Sequence, residues 1–229
     1  GWAGGISVSD DVERHVRPLV GLHASNSYVI PNGVDMSTIK AAKNDVWPDD
    51  ISKTVESLVF IGRLDRQKGV DILLDAATDL LLGNQERQLL LIGEGPLRSR
   101  LEVKISNSSV ASQIHLLGYR SDALTLLSKA KAFLFPSRWE GMPNVVMEAM
   151  ALGLPLITTP VDGVTELLGD DSLQIAIQSD WPIAAKRLLE LTEEELARIG
   201  ARNREIIQAS FTSQVTTESY LEIYRNALQ

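Results

Sequence analysis

Residues 133–166 of this chain are FLFPSRWEGMPNVVMEAMALGLPLITTPVDGVTE, and this stretch decides the fold. Two short apolar runs, Phe133–Phe135 and Leu156–Thr158, predict β-strands. Between them Val145–Leu152 has the pattern of a helix, with Asn144 in the position of its N-cap. The stretch therefore predicts a βαβ unit. Its polar loop and helix N-terminus lie at the carboxyl end of a strand, where open parallel sheets bind their ligands.

Two glutamates mark this edge of the predicted sheet. Glu140 lies in the loop, and Glu148 lies one helical turn after Asn144 on the same helix face. The free N–H groups and positive dipole end of a helix N-terminus suit a phosphate, and a carboxylate one turn further on can accept hydrogen bonds from ribose hydroxyls. These features predict a nucleotide across the helix start. The two acids alone are more typical of a Glu140 that supports the helix dipole and a solvated Glu148.

The longer string EGMPNVVMEAMALGLPLI favours the nucleotide site. It resembles the E-x7-E segment of retaining glycosyltransferases of the GT4 family, which have the GT-B fold. The spacing of the acids, the G-x-P-N core and the E-A-x-A-x-G-x-P tail all match. The resemblance implies that Glu140 contacts the transferred sugar and that Glu148 holds the ribose. It also implies N–H donors to phosphate and sugar hydroxyls from the backbone of Gly141, Met142, Asn144 and Val145.

A second motif supplies positive charge. Arg63 and Lys68 lie in the segment GRLDRQKG, directly after a predicted strand, Leu58–Ile61. Two cations at the carboxyl edge of the sheet can neutralise a diphosphate and its developing leaving-group charge. In the GT4 family a similar segment carries the arginine and lysine that grip the donor phosphates. By itself, a pair of cations in a turn is more typical of a solvent-facing surface.

Two further turns lie at the same predicted edge. The resemblance implies that the backbone of Tyr119 and Arg120 lies near the nucleotide base. Gly93 and Gly95 follow a strand, but Arg98 stands where a dinucleotide-binding G-x-G-x-x-G motif needs glycine. These glycines therefore predict a tight turn that another segment or a ligand approaches closely, and an NAD enzyme is disfavoured.

The sequence departs from the GT4 pattern in two places. Lys131-Ala132 stands before the FLFPS strand where the family often has aspartate. Asp162-Gly163 stands where the family often has two glycines. The second departure lies near the expected donor-sugar pocket and bears on the choice of sugar.

Strand and helix patterns alternate from Leu58 onward. The predicted class is an α/β fold, a Rossmann-like parallel sheet with helices on both faces that forms the C-terminal half of a GT-B fold. The predicted strands after Leu58–Ile61 are Gln88–Ile92, Ile114–Leu117, Phe133–Phe135, Leu156–Thr158 and a last one at Leu173–Ile177. Predicted helices are Val70–Leu82, one from about Leu97, Asp122–Lys131, Val145–Leu152 and Val164–Leu168. Thr192 and Glu195 predict a capping box for a helix that runs to about Gln208.

The ends of the chain suggest a larger protein. Residues 1–35 contain two short strand patterns (Ile6–Val8 and Tyr28–Ile30), with between them a helix capped by Ser9 that stops near Pro18. The resemblance to the GT4 family implies that they are the tail of an N-terminal domain and its linker; the alternative is a short decoration on a complete domain. Residues 36–212 form the predicted nucleotide-sugar-binding domain, with residues 41–57 as linker or surface loop. Residues 213–229 are a predicted helix with an apolar stripe (Tyr220, Leu221, Tyr224 and Leu228), which crosses back to the N-terminal domain or packs on its own sheet.

Composition excludes several classes of function. The net charge of −8 disfavours a nucleic-acid partner, and the absence of cysteine excludes disulfides and thiolate metal sites. The three histidines show no metal-ligand spacing, and no apolar run approaches the roughly 20 residues that span a bilayer. We expect a protein of the cytoplasm, or one peripheral on the inner membrane face, without cofactor or metal.

The leading hypothesis is the donor-binding part of a retaining glycosyltransferase of hexosyltransferase type, active in polysaccharide biosynthesis. Its donor would be a UDP-, GDP- or ADP-sugar, and its acceptor a glycan or a lipid-linked hydroxyl compound. Arg63, Lys68 and Glu140 would be the catalytic residues. We expect the isolated chain to transfer sugar poorly. Two alternatives stay open: an isomerase similar to sugar-nucleotide 2-epimerases, and a nucleotide-sugar-binding module without chemistry.

Overall fold

The computed structural model describes residues 4–227. Its first part contains strand β1 (Gly5–Ser7), helix α1 (Asp10–Val20), strand β2 (Ser27–Val29) and helix α2 (Met36–Asn44). Strands and helices then alternate through β3 (Glu56–Ile61), α3 (Val70–Leu81), β4 (Arg87–Ile92), α4 (Arg98–Ser106), β5 (Ile114–Gly118), α5 (Ala123–Ser128), β6 (Ala132–Phe135), α6 (Asn144–Leu152) and β7 (Leu156–Thr158). The last elements are α7 (Val164–Leu168), α8 (Trp181–Leu189), α9 (Glu193–Ser210) and α10 (Ser213–Ala227).

Five strands form one parallel sheet in the order β5-β4-β3-β6-β7, which confirms the predicted α/β class. The central strands are apolar and buried on both faces, as parallel sheets covered by helices require. The chain proceeds outward from β3 to β4 and β5, and then returns to the other side of β3 to form β6 and β7. Because crossovers are right-handed, this reversal places helices on both faces and opens a crevice between the carboxyl ends of β3 and β6.

The N-terminal segment forms a separate two-stranded parallel sheet, in which Gly5 pairs with Ser27. Helix α1 is capped by Ser9 as predicted, but it does not stop near Pro18. It runs through the proline to Val20 and ends at Gly21 in the left-handed conformation. Since α1 contains no buried residue, solvent can satisfy the one carbonyl that the proline leaves without a helical partner.

The sequence predicted residues 41–57 as a linker or surface loop, but part of this segment is regular. Helix α2 extends to Asn44, and only residues 45–55 are irregular. The carboxylate of Asp35 caps α2 by accepting from the Ser37 N–H, and Ile39 and Ala42 are buried where α2 packs on α5 and α6. The cap and this tertiary packing together outweigh the weak helical periodicity of the segment.

Two predictions near β7 were also wrong. Leu173–Ile177 is not a strand but a single bridge between Thr158 and Ile175. Its Gln174 side chain is directed inward, where it bonds to Asn203 and to the Leu156 N–H, and this fixes the segment without a ladder. Helix α8 was not predicted from the sequence, although Pro182 in its first turn is a typical signal for the start of a helix. Helix α5 is shorter than the predicted Asp122–Lys131.

The last two helices return the chain to the linker. The capping box of Thr192 and Glu195 is present at the start of α9. At the start of α10 the Thr216 hydroxyl donates to the Pro31 carbonyl (3.0 Å), and Thr212 pairs with Val34. Leu221 and Tyr224 of the predicted apolar stripe are exposed, while Leu228 lies outside the described residues. No helix within residues 4–227 combines the length and the apolar character that a membrane span needs.

Gly200 should be a packing requirement of α9. Helix propensity alone favours Gly200→Ala, but its methyl group would collide with the carbonyl of Gly153 at the end of α6. We expect Gly200→Ala to destabilise the protein by about 1–3 kcal/mol in urea unfolding. The exposed Ala201→Gly in the same helix should cost about 1 kcal/mol through propensity alone. A Gly200→Ala variant as stable as the parent would contradict the tight α6–α9 contact.

Candidate functional site

The loops after β3 and β6 are in direct contact at the point where the strand order reverses. Gly69, in the left-handed conformation at φ 67°, lies against the carbonyl of Pro136, and any side chain there would collide with it. The Arg138 N–H donates to the Gln67 carbonyl at 2.7 Å. The crevice of the sheet is therefore bounded by the two segments in which the sequence placed its cations and its first glutamate.

Lys68 and Glu140 form the ion pair at the centre of this site. The Lys68 ammonium lies 2.6 Å from Glu140 Oε1, and their side chains are only 21% and 9% exposed. The buried Ser137 hydroxyl donates to the same carboxylate oxygen at 2.6 Å. The ammonium also lies 5.3 Å from the centre of the Phe135 ring. Low exposure strengthens the pair and fixes both charges at one position.

Arg63 lies in the same turn, but its side chain is more exposed than that of Lys68. Its side chain is 64% exposed, and its Nε bonds to Asp65, whose other carboxylate oxygen accepts from the Lys68 N–H. The turn thus presents one partly buried cation at the crevice and one exposed cation beside it.

The start of α6 supplies open backbone donors. Four N–H groups in this turn, those of Gly141, Met142, Asn144 and Val145, have no hydrogen-bond acceptor among the described residues. These are the same four backbone positions that the sequence analysis selected. Such N–H groups at a helix N-terminus are the usual partners of a phosphate or a hydroxyl group.

Asn144 does not act as the N-cap. Pro143 flanks the helix, and Asn144 is its first residue. The Asn144 side-chain oxygen instead accepts a hydrogen bond from the Asn32 amide at 2.8 Å, which ties the helix start to the linker. The Asn144 side chain therefore does not cap the helix; the N–H groups of Asn144 and Val145 stay open, while those of Val146 and Met147 donate to the Pro143 carbonyl.

Glu148 lines a cavity beside the start of α6. Within the described part of the chain its carboxylate has no hydrogen-bond or ion-pair partner, and burial raises its pKa. The cavity has a volume of about 250 Å³, and its lining includes Asn144, Met147 and the linker residues Gly33 and Asp35. An acid held in such a place is costly unless a ligand bonds to it, which is typical of a functional residue.

The cavity continues toward the loop after β5. A second space of about 530 Å³ shares Thr38 and Leu124 with the first and reaches Ser121 and Asp122. Tyr119 and Arg120 lie at this far edge of the sheet, two strands from β3 and away from the Lys68–Glu140 pair.

Arg120 is strongly engaged by carboxylates. Asp122 and Asp50 bond to its guanidinium at 2.7 and 2.6 Å, and these bonds raise the pKa of Arg120 and lower those of both aspartates. Tyr119, by contrast, is 82% exposed. The arginine side chain thus ties its own loop to Asp50 of the irregular segment 45–55.

The glycine turn after β4 packs against the segment after β3. Gly93 has a φ of 136°, and a side chain there would collide with Gly62. The predicted close approach is therefore made by another part of the chain. Among the described residues, no group of three or more His, Cys, Asp and Glu side chains is arranged to hold a metal ion.

The sequence of residues 55–194 matches the family described as "Glycosyl transferases group 1". This chain belongs to that family. Group 1 relatives include the UDP-Gal:alpha-D-GlcNAc-diphosphoundecaprenol alpha-1,3-galactosyltransferase of Escherichia coli, 29% identical over 183 residues. That match covers 76% of this chain and 47% of the relative. The N-acetyl-alpha-D-glucosaminyl L-malate synthase of Bacillus anthracis is 28% identical over 182 residues, covering 78% and 48%. This group 1 chain thus spans about half the length of these curated relatives.

Several solved structures share the fold of this group 1 chain. The HepE protein of Anabaena, in complex with UDP and glucose, superposes with a TM-score of 0.82 at 20% identity. The superposition covers 98% of this chain and 63% of HepE. WaaG, a glycosyltransferase involved in lipopolysaccharide biosynthesis, superposes with a TM-score of 0.76 at 18% identity, covering 93% and 60%. The GT-B assignment made from the E-x7-E string is confirmed.

Several residues at the site were not singled out from the sequence. The Ser137 hydroxyl donates to Glu140, and the short separation of three residues is the sequence feature that could have indicated this contact. Val12 of α1 and Val8, which precedes that helix, lie against the Gly141 turn. The Asp10 N–H at the start of α1 donates to the Glu166 carboxylate at 2.6 Å. No local pattern connects residues 156 positions apart, so this contact required the structure.

Asp162-Gly163, which stands where the GT4 family often has two glycines, lies beside the Gly141 turn. Gly163 has a φ of 77°, and a side chain there would lie 2.7 Å from the Gly141 carbonyl, so glycine is required at this position. Asp162 is 40% exposed and lies 3.9 Å from His15 of α1. Aspartate in place of the first glycine therefore adds a carboxylate beside the Gly141 turn.

The raised pKa of Glu148 makes stability depend on pH. An acid whose pKa is raised in the folded state contributes stability below its ordinary pKa and loses that contribution as pH rises through the raised value. Glu148→Gln should therefore raise the urea midpoint at pH 7, and the gain should shrink near pH 4. The exposed Glu205→Gln should show no such pH-dependent gain. A Glu148→Gln midpoint below the parent's at pH 7 would contradict the cost of this buried charge.

Proposed function

We propose that this chain is the donor-binding part of a retaining glycosyltransferase, which transfers a sugar from a nucleoside diphosphate to a hydroxyl acceptor. The observation that carries the proposal is the arrangement around the start of α6. Along the chain, Glu140 of the Lys68–Glu140 pair precedes the four open N–H groups, and the unpartnered Glu148 follows them on α6. A nucleoside-diphosphate sugar has a hydroxyl-rich group, a diphosphate and a ribose in the same order.

Each part of the donor has a partner of suitable chemistry. The diphosphate would accept hydrogen bonds from the open N–H groups, while Lys68 and Arg63 neutralise its charge. Glu148 would accept hydrogen bonds from the ribose, which would compensate the cost of burying its carboxylate. The base would extend along the second cavity toward the backbone of Tyr119 and Arg120.

The same groups would promote the reaction. As the bond to the sugar breaks, negative charge increases on the departing phosphate, and fixed cations and N–H dipoles stabilise that charge most in a site with little water. Glu140, held by Lys68 and Ser137, would contact the hydroxyls of the transferred sugar. In a front-face substitution the acceptor hydroxyl attacks from the side on which the diphosphate departs, so the configuration of the sugar is retained.

The comparisons favour a UDP-sugar as the first donor to test. The E. coli relative is named for UDP-Gal, and HepE is described in complex with UDP and glucose. We further propose that residues 1–35 and 213–229 contact a separate N-terminal domain of the whole protein, and that this domain binds a glycan or lipid-linked acceptor on the cytoplasmic side of a membrane. Residues 36–212 would then be the donor domain.

Calorimetric titration with UDP, GDP and ADP tests the donor site. We expect one nucleotide to bind saturably, and Lys68→Ala to weaken it about ten- to a hundredfold because a charge-assisted hydrogen bond contributes about 1.5–3 kcal/mol. Arg63→Ala and Glu148→Ala should also weaken binding. Arg66→Ala, which removes an exposed cation from the same turn, is the matched control and should change little.

Three results would oppose this proposal. A folded chain that binds none of the three nucleotides would contradict the donor site. Equal losses in Arg66→Ala and Lys68→Ala would indicate general attraction by charge instead of a built phosphate site. Efficient sugar transfer by the chain alone would contradict the assignment of acceptor binding to another domain.

A further inference from the structure

Trp139 precedes Glu140 in the chain, and its side chain is 54% exposed. A single exposed aromatic side chain is ordinary on a protein surface. This one differs in its position, because its neighbour Glu140 belongs to the ion pair at the centre of the candidate site. Because the two residues are adjacent in the chain, the backbone of Trp139 lies beside that of Glu140 at the edge of this site.

The backbone that carries Trp139 is fixed by side chains. The Gln67 amide donates to the Trp139 carbonyl at 2.9 Å, and the Gln67 carbonyl accepts from the Arg138 N–H at 2.7 Å. Arg138 bonds to both carboxylate oxygens of Asp71 at 2.8 Å, which raises the pKa of Arg138 and lowers that of Asp71. Because the loop is already ordered, a ligand on the indole does not incur the entropy cost of fixing it.

We propose that Trp139 is the stacking platform for a pyranose ring of the acceptor. This inference rests on the proposed function of the site. The C–H face of a pyranose is apolar with a slightly positive edge, and it complements the negative face of an aromatic ring. The polar surroundings of the indole, which include the exposed Arg66 and the partly exposed Gln67, suit the hydroxyls at the rim of the ring. The acceptor class would be a saccharide whose terminal ring is presented to Glu140 from the solvent side.

The position of Trp139 favours the acceptor over the donor. The proposed donor groups are the Lys68–Glu140 pair and the N–H groups that follow it in the chain, and the pair is shielded from solvent. Trp139 lies on the other side of Glu140 in the chain, and half of its side chain faces solvent.

The chemistry of the surroundings favours a saccharide over a lipid surface. A membrane-binding patch combines several apolar side chains with excess positive charge, whereas Trp139 lies in a polar loop of a chain with a net charge of −8. The residues before and after Trp139 in the chain, Arg138 and Glu140, are held in ion pairs with Asp71 and Lys68.

Nuclear magnetic resonance of the 15N-labelled chain in saturating UDP tests this proposal. The probes are methyl α-D-glucopyranoside, methyl α-D-galactopyranoside and methyl N-acetyl-α-D-glucosaminide, and the readout is the indole N–H signal that Trp139→Phe removes. We expect at least one glycoside to shift this signal saturably, and the signals of the buried Trp181 and partly buried Trp47 to stay in place. Saturation transfer to the glycoside should fall at least fivefold in Trp139→Ala and be largely kept in Trp139→Phe. Tyr224→Ala, which removes an exposed aromatic ring on α10, should change nothing.

Three results would overturn the proposal, and each points to a different alternative. Exchanging UDP for UDP-glucose should leave the glycoside shift in place, and its loss would overturn the acceptor assignment in favour of a donor subsite. Absence of a shift with all three glycosides, while UDP binds and Trp139→Ala keeps UDP affinity, would overturn the proposal and leave the donor site intact. A Trp139 shift with phosphatidylglycerol vesicles but with no glycoside would also overturn it.

Failure of the donor site gives a different pattern. The glycoside titration is repeated without nucleotide, so the result for Trp139 does not depend on UDP. If none of UDP, GDP and ADP binds and a glycoside still shifts Trp139, the proposed donor site is wrong and the saccharide platform is supported on its own. If neither binds, both proposals fail.

Discussion

Strand β3 bonds to β4 on one side and to β6 on the other, although β6 follows β5 in the chain. The segments after β3 and β6 therefore meet at their carboxyl ends, and Gly69 lets their backbones touch at Pro136. This contact sets the distance between Lys68 and Glu140, and through Arg138 and Gln67 it also fixes the loop that leads into α6. A wider spacing would leave two isolated charges at the crevice, each of which is costly to bury alone.

Much of the fold could be predicted because its signals are local. The strands from β3 to β7 are short apolar runs between turn residues, and Gly153 and the Thr192–Glu195 box mark helix ends through their own chemistry. The failures arose where tertiary contacts decide. Helix α2 depends on packing against α5 and α6, and the Gln174 segment is held by Asn203, which no neighbouring residue indicates. Pro18 was given too much weight because the exposure of α1 cannot be deduced from its sequence.

The candidate site was predictable to the extent that its residues belong to two compact motifs. Glu140, Glu148 and the N–H groups between them lie within one segment, and Lys68 lies in another that the sheet necessarily brings to the same edge. The partners of these residues were not predictable in the same way. Asn144 bonds to Asn32 from the linker, and Arg120 is held by Asp50 from an irregular segment, so the role of each side chain depends on distant parts of the chain.

The chain joins the sheet domain and leaves it at a single point. The Val34 N–H donates to the Phe211 carbonyl at 2.8 Å, and the Ser213 N–H donates to the Val34 carbonyl at 2.9 Å. The two connections therefore lie side by side, as in a domain inserted into another at a surface loop. Tension applied between residues 31 and 216 would be borne first by these two hydrogen bonds and by the bond from the Thr216 hydroxyl to the Pro31 carbonyl, and it would reach the five-stranded sheet only after all three had broken.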